Sequence, residues 1–136
     1  MPRAQRGCVF TSDGQGARSV QDNIKLREAL DRDAGALAVL CAFVQELHFR
    51  ERPDVFKEPD VPALEQWFRD TLSAGSAEIW IAQVGDVPVG YVVVALQNRD
   101  ENVFCYQRRW FEVSNIGVHP KYRERGVARR LLKHVT

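Results

Sequence analysis

"NIGVHPKYRERGVARRLLKHVT" spans residues 115–136. An apolar run ending at Val118 feeds a loop through Pro120, and Gly126-Val127 opens a helix with Val127, Leu131 and Val135 on one face. Helix starts present unpaired backbone N–H groups and the positive end of the macrodipole. A glycine at that point lets an anion approach the main chain closely. Lys121, Arg123, Arg125, Arg129 and Arg130 add positive charge, opposed only by Glu124. Strand, basic loop and helix in this order favour a phosphate-bearing ligand. Arg129, Arg130, Lys133 and His134 also read as the solvated face of an amphipathic helix.

Working outward, WFEVSNIGV is the strand that delivers this loop, and NRDENVFCYQRR before it is a polar excursion carrying aromatics. EIWIAQV and VPVGYVVVAL are two further strands, and the Gly85-Asp86 link between them is a hairpin signal. Leu64, Trp67, Phe68 and Leu72 mark a helix capped by Asp60, with Pro62 in its first turn and Gly75 at its close. Leu37, Leu40, Cys41, Val44 and Leu47 mark an earlier helix, with Asp31 or Asp33 as its cap and Pro53 as its stop. Val20 to Leu26 suits a first strand. The predicted order is β-α-α-β-β-β-α: an α/β (α+β) fold with helices packed on a largely antiparallel sheet.

The chain has 136 residues, 45% of them hydrophobic and 27% charged, which bounds it to one ordinary globular domain. A net charge of +1 supplies no global field for nucleic acid or membrane, so any anion site must be local. The longest apolar run, Tyr91 to Leu96, is too short to span a bilayer. Cys8, Cys41 and Cys105 form no CxxC pair, which argues against a disulfide framework or a metal site and predicts a reducing, cytoplasmic setting. Residues 1–19 carry Arg3, Arg6 and Arg18 without the apolar core of a signal peptide, and are expected to form a flexible tail before a domain over 20–136.

V-H-P-K-Y-R-E-R-G-V-A resembles the acetyl-CoA signature of the GNAT superfamily of N-acyltransferases, where V-x-P leads to (Q/R)-x-x-G-x-(G/A) and a helix. Here the signature is Arg123, Gly126 and Ala128 after Val118 and Pro120, and Gly90 in VPVGYVV adds to the likeness. The resemblance implies that the coenzyme pyrophosphate lies on the loop amides of Arg125, Gly126, Val127 and Ala128, with Arg123 at the signature's first position and Arg129 adjoining. It implies that the pantetheine arm pairs with Ile116, Gly117 and Val118, and that an N–H near Val118 polarises the thioester carbonyl. Family members continue with another strand, another helix and two closing strands. The chain is therefore expected to be an incomplete GNAT domain, of doubtful activity alone, open to a second copy or a complementing segment at its sheet edge.

An amine acceptor resembling lysine, whose free pKa is about 10.4, must lose a proton before attacking a thioester. Glu112 lies on the signature strand eleven residues before Arg123, an offset that resembles the catalytic glutamate of histone-acetylating members. Strict alternation puts Glu112, Ser114, Ile116 and Val118 on one face, and a bulge would break that parity. The alternative for Glu112 is a solvated glutamate beside Arg108 or Arg109. His48 ends the first helical stripe, before the loop that lines the acceptor site in this family; it is a second proton-relay candidate, or a helix-end cap. His119 reads as a surface loop residue, and Tyr106, Trp110 and Phe56 as packing. The expected activity is acetyl transfer from acetyl-CoA to a primary amine. The alternatives are a non-catalytic binding module and a nucleic-acid module on the basic helix, against which the low net charge argues.

Overall fold

The computed structural model describes residues 23–136; the expected tail over 1–19 and the start of the expected first strand at Val20 lie outside the described residues. The elements are β1 (Ile24–Glu28), α1 (Ala34–Glu51), α2 (Val61–Ala74), β2 (Ala77–Val84), β3 (Val87–Arg99), β4 (Arg108–Val118) and α3 (Val127–Val135), in the order the periodicity predicts. The strands form one antiparallel sheet in the order β1-β2-β3-β4. Alternation along the strands splits the core in two. Tyr91 and Val93 join Leu37, Leu40, Cys41 and Phe68 under α1 and α2, while Val92 and Val94 join Val127 and Leu131 under α3. Among the described residues, no helix is long and apolar enough to cross a membrane.

Local chemistry accounts for the element ends. Asp60 accepts a hydrogen bond from the Ala63 N–H at 3.1 Å, and Gly75 closes α2 in the left-handed region at φ 66°. Trp67, read from its spacing as part of the buried face of α2, is 47% exposed and meets Phe68 edge-on at 5.0 Å. The excursion before β4 is shorter than the apolar pattern suggests. The β3–β4 ladder runs on until Arg99 faces Arg108, because backbone hydrogen bonds continue beyond the packed side chains.

Asp33 precedes α1, yet its carboxylate does not cap the helix. It accepts hydrogen bonds from Arg27 Nη1 and Nη2, each at 2.8 Å, and from the Leu30 N–H at 2.7 Å, so it ties β1 to the helix entry. The hydrogen bonds from Arg27 hold the Asp33 carboxyl below the usual carboxylate range, against the opposing effect of burial. A depressed folded value means the pair stabilises the protein above the unfolded carboxyl pKa of about 3.9. That contribution is lost as pH falls through the lower folded value. Asp33→Asn is therefore expected to cost about 2 kcal/mol in urea unfolding at pH 7, the Arg27 end being partly solvated. The gap from the parent should close below about pH 4.

Candidate active site

The site is assembled where β4 hands over to α3. His119 does not sit free on the surface: its Nδ1 accepts the Lys121 N–H at 3.0 Å, and its ring meets Phe43 of α1 edge-on at 5.0 Å. This contact anchors the start of the basic loop to α1. At the loop's end Gly126 adopts φ 82°, a left-handed conformation that admits glycine without strain. The first turn of α3 closes with the Arg130 N–H donating to the Gly126 carbonyl at 3.0 Å, and among the described residues no side chain caps the helix. The N–H groups of Val127, Ala128 and Arg129 thus precede the intrahelical ladder and point out of the helix start.

A cleft of about 280 Å³ opens at this point, lined by Val118, Arg123, Gly126, Val127, Ala128 and Arg129, with Tyr122 and Glu124 completing its wall. Of the other signature residues, Arg125 is exposed, Ile116 is half-buried against the α3-side core, and Gly117 is buried against α1. Sequence reasoning singled out Glu124 only as a lone opposing charge, and it passed over Tyr122. Glu124 sits at φ 63°, where a side chain costs about 1–2 kcal/mol. Glu124→Gly should raise the unfolding free energy by about 1 kcal/mol in urea titration, glycine's own chain entropy offsetting part of the relief. It should also tighten the binding of a phosphate-bearing ligand about threefold by isothermal titration, because one negative charge leaves the cleft wall.

The open side of β4 supplies a second feature. The His119 N–H donates inward to the Val89 carbonyl at 2.8 Å. Antiparallel pairing alternates, so the N–H groups of Val118 and Ile116 point away from β3. Among the described residues β4 has no neighbour on that side.

The register of β4 shifts between Val93 and Val94: Asn115 faces Val93 and Val113 faces Val94, leaving Ser114 as the extra residue. The bulge reverses parity upstream of it. Glu112, opposite Ala95, therefore shares the α1-side face with Asn115 and Gly117, and not the face of Ile116 and Val118 that strict alternation assigns. Glu112 is exposed and makes no ion pair with Arg108 or Arg109; Arg108 instead lies over the Trp110 ring at 4.7 Å. His48 stacks on Phe56 at 4.8 Å with its backbone carbonyl accepting the Arg52 N–H. Cys41 adjoins Asn115, and Val44 flanks Gly117 one turn later, so α1 and β4 run in the same direction. His48 lies a further turn on, whereas Glu112 lies upstream; the fold does not bring the two proton-transfer candidates together. Tyr106, expected as packing, is 87% exposed.

The start of α3 thus lies beside the open side of β4, a strand with outward amides, on an antiparallel sheet. The acetyltransferase (GNAT) family matches residues 41–136, and the chain belongs to that family. Solved structures agree on the fold. A mutant form of the BH1408 protein of Bacillus halodurans superposes with a TM-score of 0.72 at 22% identity, covering 82% of this chain and 71% of that one. A ribosomal-protein-alanine N-acetyltransferase of Brucella melitensis gives 0.58 at 25% identity, over 82% and 68% of the two chains. A predicted acetyltransferase of Clostridium acetobutylicum solved with acetyl-CoA gives 0.59 at 16% identity, over 82% and 70%. A comparison with curated proteins finds no match.

Proposed function

We propose that this protein transfers the acetyl group of acetyl-CoA to a primary amine. The observation that carries the reading is the uncapped helix start at left-handed Gly126, opening on a cleft walled by Arg123 and Arg129 next to the outward Val118 N–H. The residues present fit the coenzyme. The amides of Val127 and Ala128 hold the pyrophosphate, the two arginines balance its charge, and the open side of β4 pairs with the pantetheine arm. Acetyl-CoA supplies an activated acyl group as its thioester. The Val118 N–H is the fixed donor for the carbonyl oxygen, a contribution typically worth about 3 kcal/mol as negative charge develops there. Glu112 takes the proton from the incoming ammonium, directly or through water, so that the free amine attacks the carbonyl carbon. The C–S bond then breaks, and the leaving thiolate takes up the proton lost by the attacking nitrogen, giving the amide and free coenzyme A thiol. The thermal melt of the chain with and without acetyl-CoA tests this, together with release of free thiol in the presence of a panel of primary amines. No thermal shift and no thiol release with any amine would overturn it.

The open side of β4 favours a second reading, a module that binds another strand. Exposed Leu96, Phe111 and Val113 continue that hairpin as an apolar strip. Edge strands with unpaired N–H and C=O groups pair readily with further strands. A second copy of the chain or a complementing segment is the fitting occupant. Sedimentation velocity across a concentration series distinguishes the two: a monomer at all concentrations that still turns over acetyl-CoA removes the second reading.

A further inference from the structure

Just inside the outward amides lies a partly buried polar contact that the transfer chemistry does not itself use. The Tyr91 hydroxyl donates to Asn115 Oδ1 at 2.8 Å, and Asn115 Nδ2 donates to Cys41 Sγ at 3.9 Å. Tyr91 is fully buried, with Phe68 edge-on to its ring at 5.7 Å, so the ring is held on its other side. The same ring passes beneath Gly117, where an added Cβ would come within 2.7 Å of Tyr91 Cε1 and 2.9 Å of Val44 Cγ2. One side chain thus grips β4 on both sides of Ile116: the hydroxyl holds residue 115 and the ring edge sits under residue 117.

A grip is needed at this point. The extra residue Ser114 interrupts the β3–β4 ladder immediately upstream, and its own tie, Ser114 Oγ to the Val93 carbonyl, is long at 3.4 Å. Bulges bend and twist the strand that carries them. The open side of β4 offers no neighbour among the described residues to correct the aim. We propose that Tyr91 and Asn115 are positioning residues that set the direction of the outward N–H groups of Ile116 and Val118, and hence the donor offered to an acyl carbonyl. The aim toward a carbonyl rests on the acetyltransferase reading; the clamp on β4 does not. Burial pushes the Tyr91 phenol well above its ordinary pKa, so the hydroxyl remains a donor at any pH at which the protein is handled.

Tyr91→Phe keeps the ring under Gly117 and removes only the hydroxyl, and Asn115→Leu removes the other partner. Both variants and the double variant are compared with the parent by amide hydrogen exchange without ligand, and by steady-state kinetics with acetyl-CoA and the best amine. The expected result is at least about tenfold faster exchange at Gly117 and its neighbours, with protection in β2 unchanged. In kinetics kcat falls roughly 10–100-fold, the cost of an aim displaced by about an ångström, while KM for acetyl-CoA stays within about twofold. The double variant is no worse than either single one, as a shared contact requires. Unchanged exchange in Tyr91→Phe overturns the clamp. Faster exchange with kcat within about twofold of the parent overturns its role in aiming the donor, and so does a fall in kcat that is matched by a global loss of protection. A parent that neither binds acetyl-CoA nor transfers acetyl overturns the function reading and the aiming role together, while the exchange arm still decides the clamp.

Discussion

The Gly126→Glu protein is expected to lose all thermal protection by acetyl-CoA while remaining folded, its melt without ligand lowered by several degrees. In the parent, a hundredfold excess of ligand over Kd stabilises the fold by about 2.7 kcal/mol, a shift of several degrees. Two effects remove it in the variant. A side chain at residue 126 occupies the space through which a pyrophosphate reaches the amides of Val127 and Ala128, and a carboxylate there repels the phosphate charge that Arg123 and Arg129 attract. The left-handed conformation, φ 82°, adds about 1–2 kcal/mol of backbone strain. Gly126→Ala separates the contributions, because it carries the strain without the charge, and it should retain part of the protection. Undiminished protection in a folded Gly126→Glu protein would take the loop out of coenzyme binding.

Glu112→Gln is expected to lower turnover by roughly 10²–10⁴-fold with the fold intact, because it preserves shape and removes the base. The side chain is exposed on the α1-side face and unpaired with Arg108 and Arg109, so its loss breaks no ion pair among the described residues. Stability should therefore stay within about 0.5 kcal/mol of the parent. The defect should shrink as pH rises toward the amine pKa, about 10.4 for a lysine-like acceptor, since free amine then forms without help. A pH–rate profile of both proteins measures this. If the two profiles coincide, the base lies elsewhere. His48→Gln is then the next variant, and its effect would be independent of Glu112, since the two side chains lie toward opposite ends of the α1–β4 contact.

Much of this architecture is legible along the chain because the signals are local. The spacing of Val127, Leu131 and Val135 marks a helix face without knowledge of its partner, and Gly85 turns the β2–β3 hairpin at φ 60° as its dipeptide predicts. Gly126, Arg123 and Ala128 are readable for the same reason: a helix start and its charges lie within a few residues of one another. Other features were hidden because they depend on residues far apart in sequence. Asp33 sits where a helix cap belongs, yet Arg27 offers it two stronger donors across the β1–α1 turn. The spacing of Trp67 puts it on the apolar face of α2, but with Phe68 already filling the core it stays half outside.

The sequence by itself determined the order of elements, the family and the basic, glycine-containing loop that opens α3, since each depends on periodicity or on neighbours in the chain. Tertiary structure decided which way the signature strand presents its groups. The bulge at Ser114 depends on the register against β3, and it moves Glu112 to the α1 side while leaving Ile116 and Val118 on the other. The contacts of Tyr91 with Asn115 and Gly117 span the β3–β4 loop, and Cys41 and Val44 reach the same two positions from α1. The side-chain period of a strand is two, so one extra residue reverses every face upstream of it. Only the pairing partner determines where that residue is accommodated.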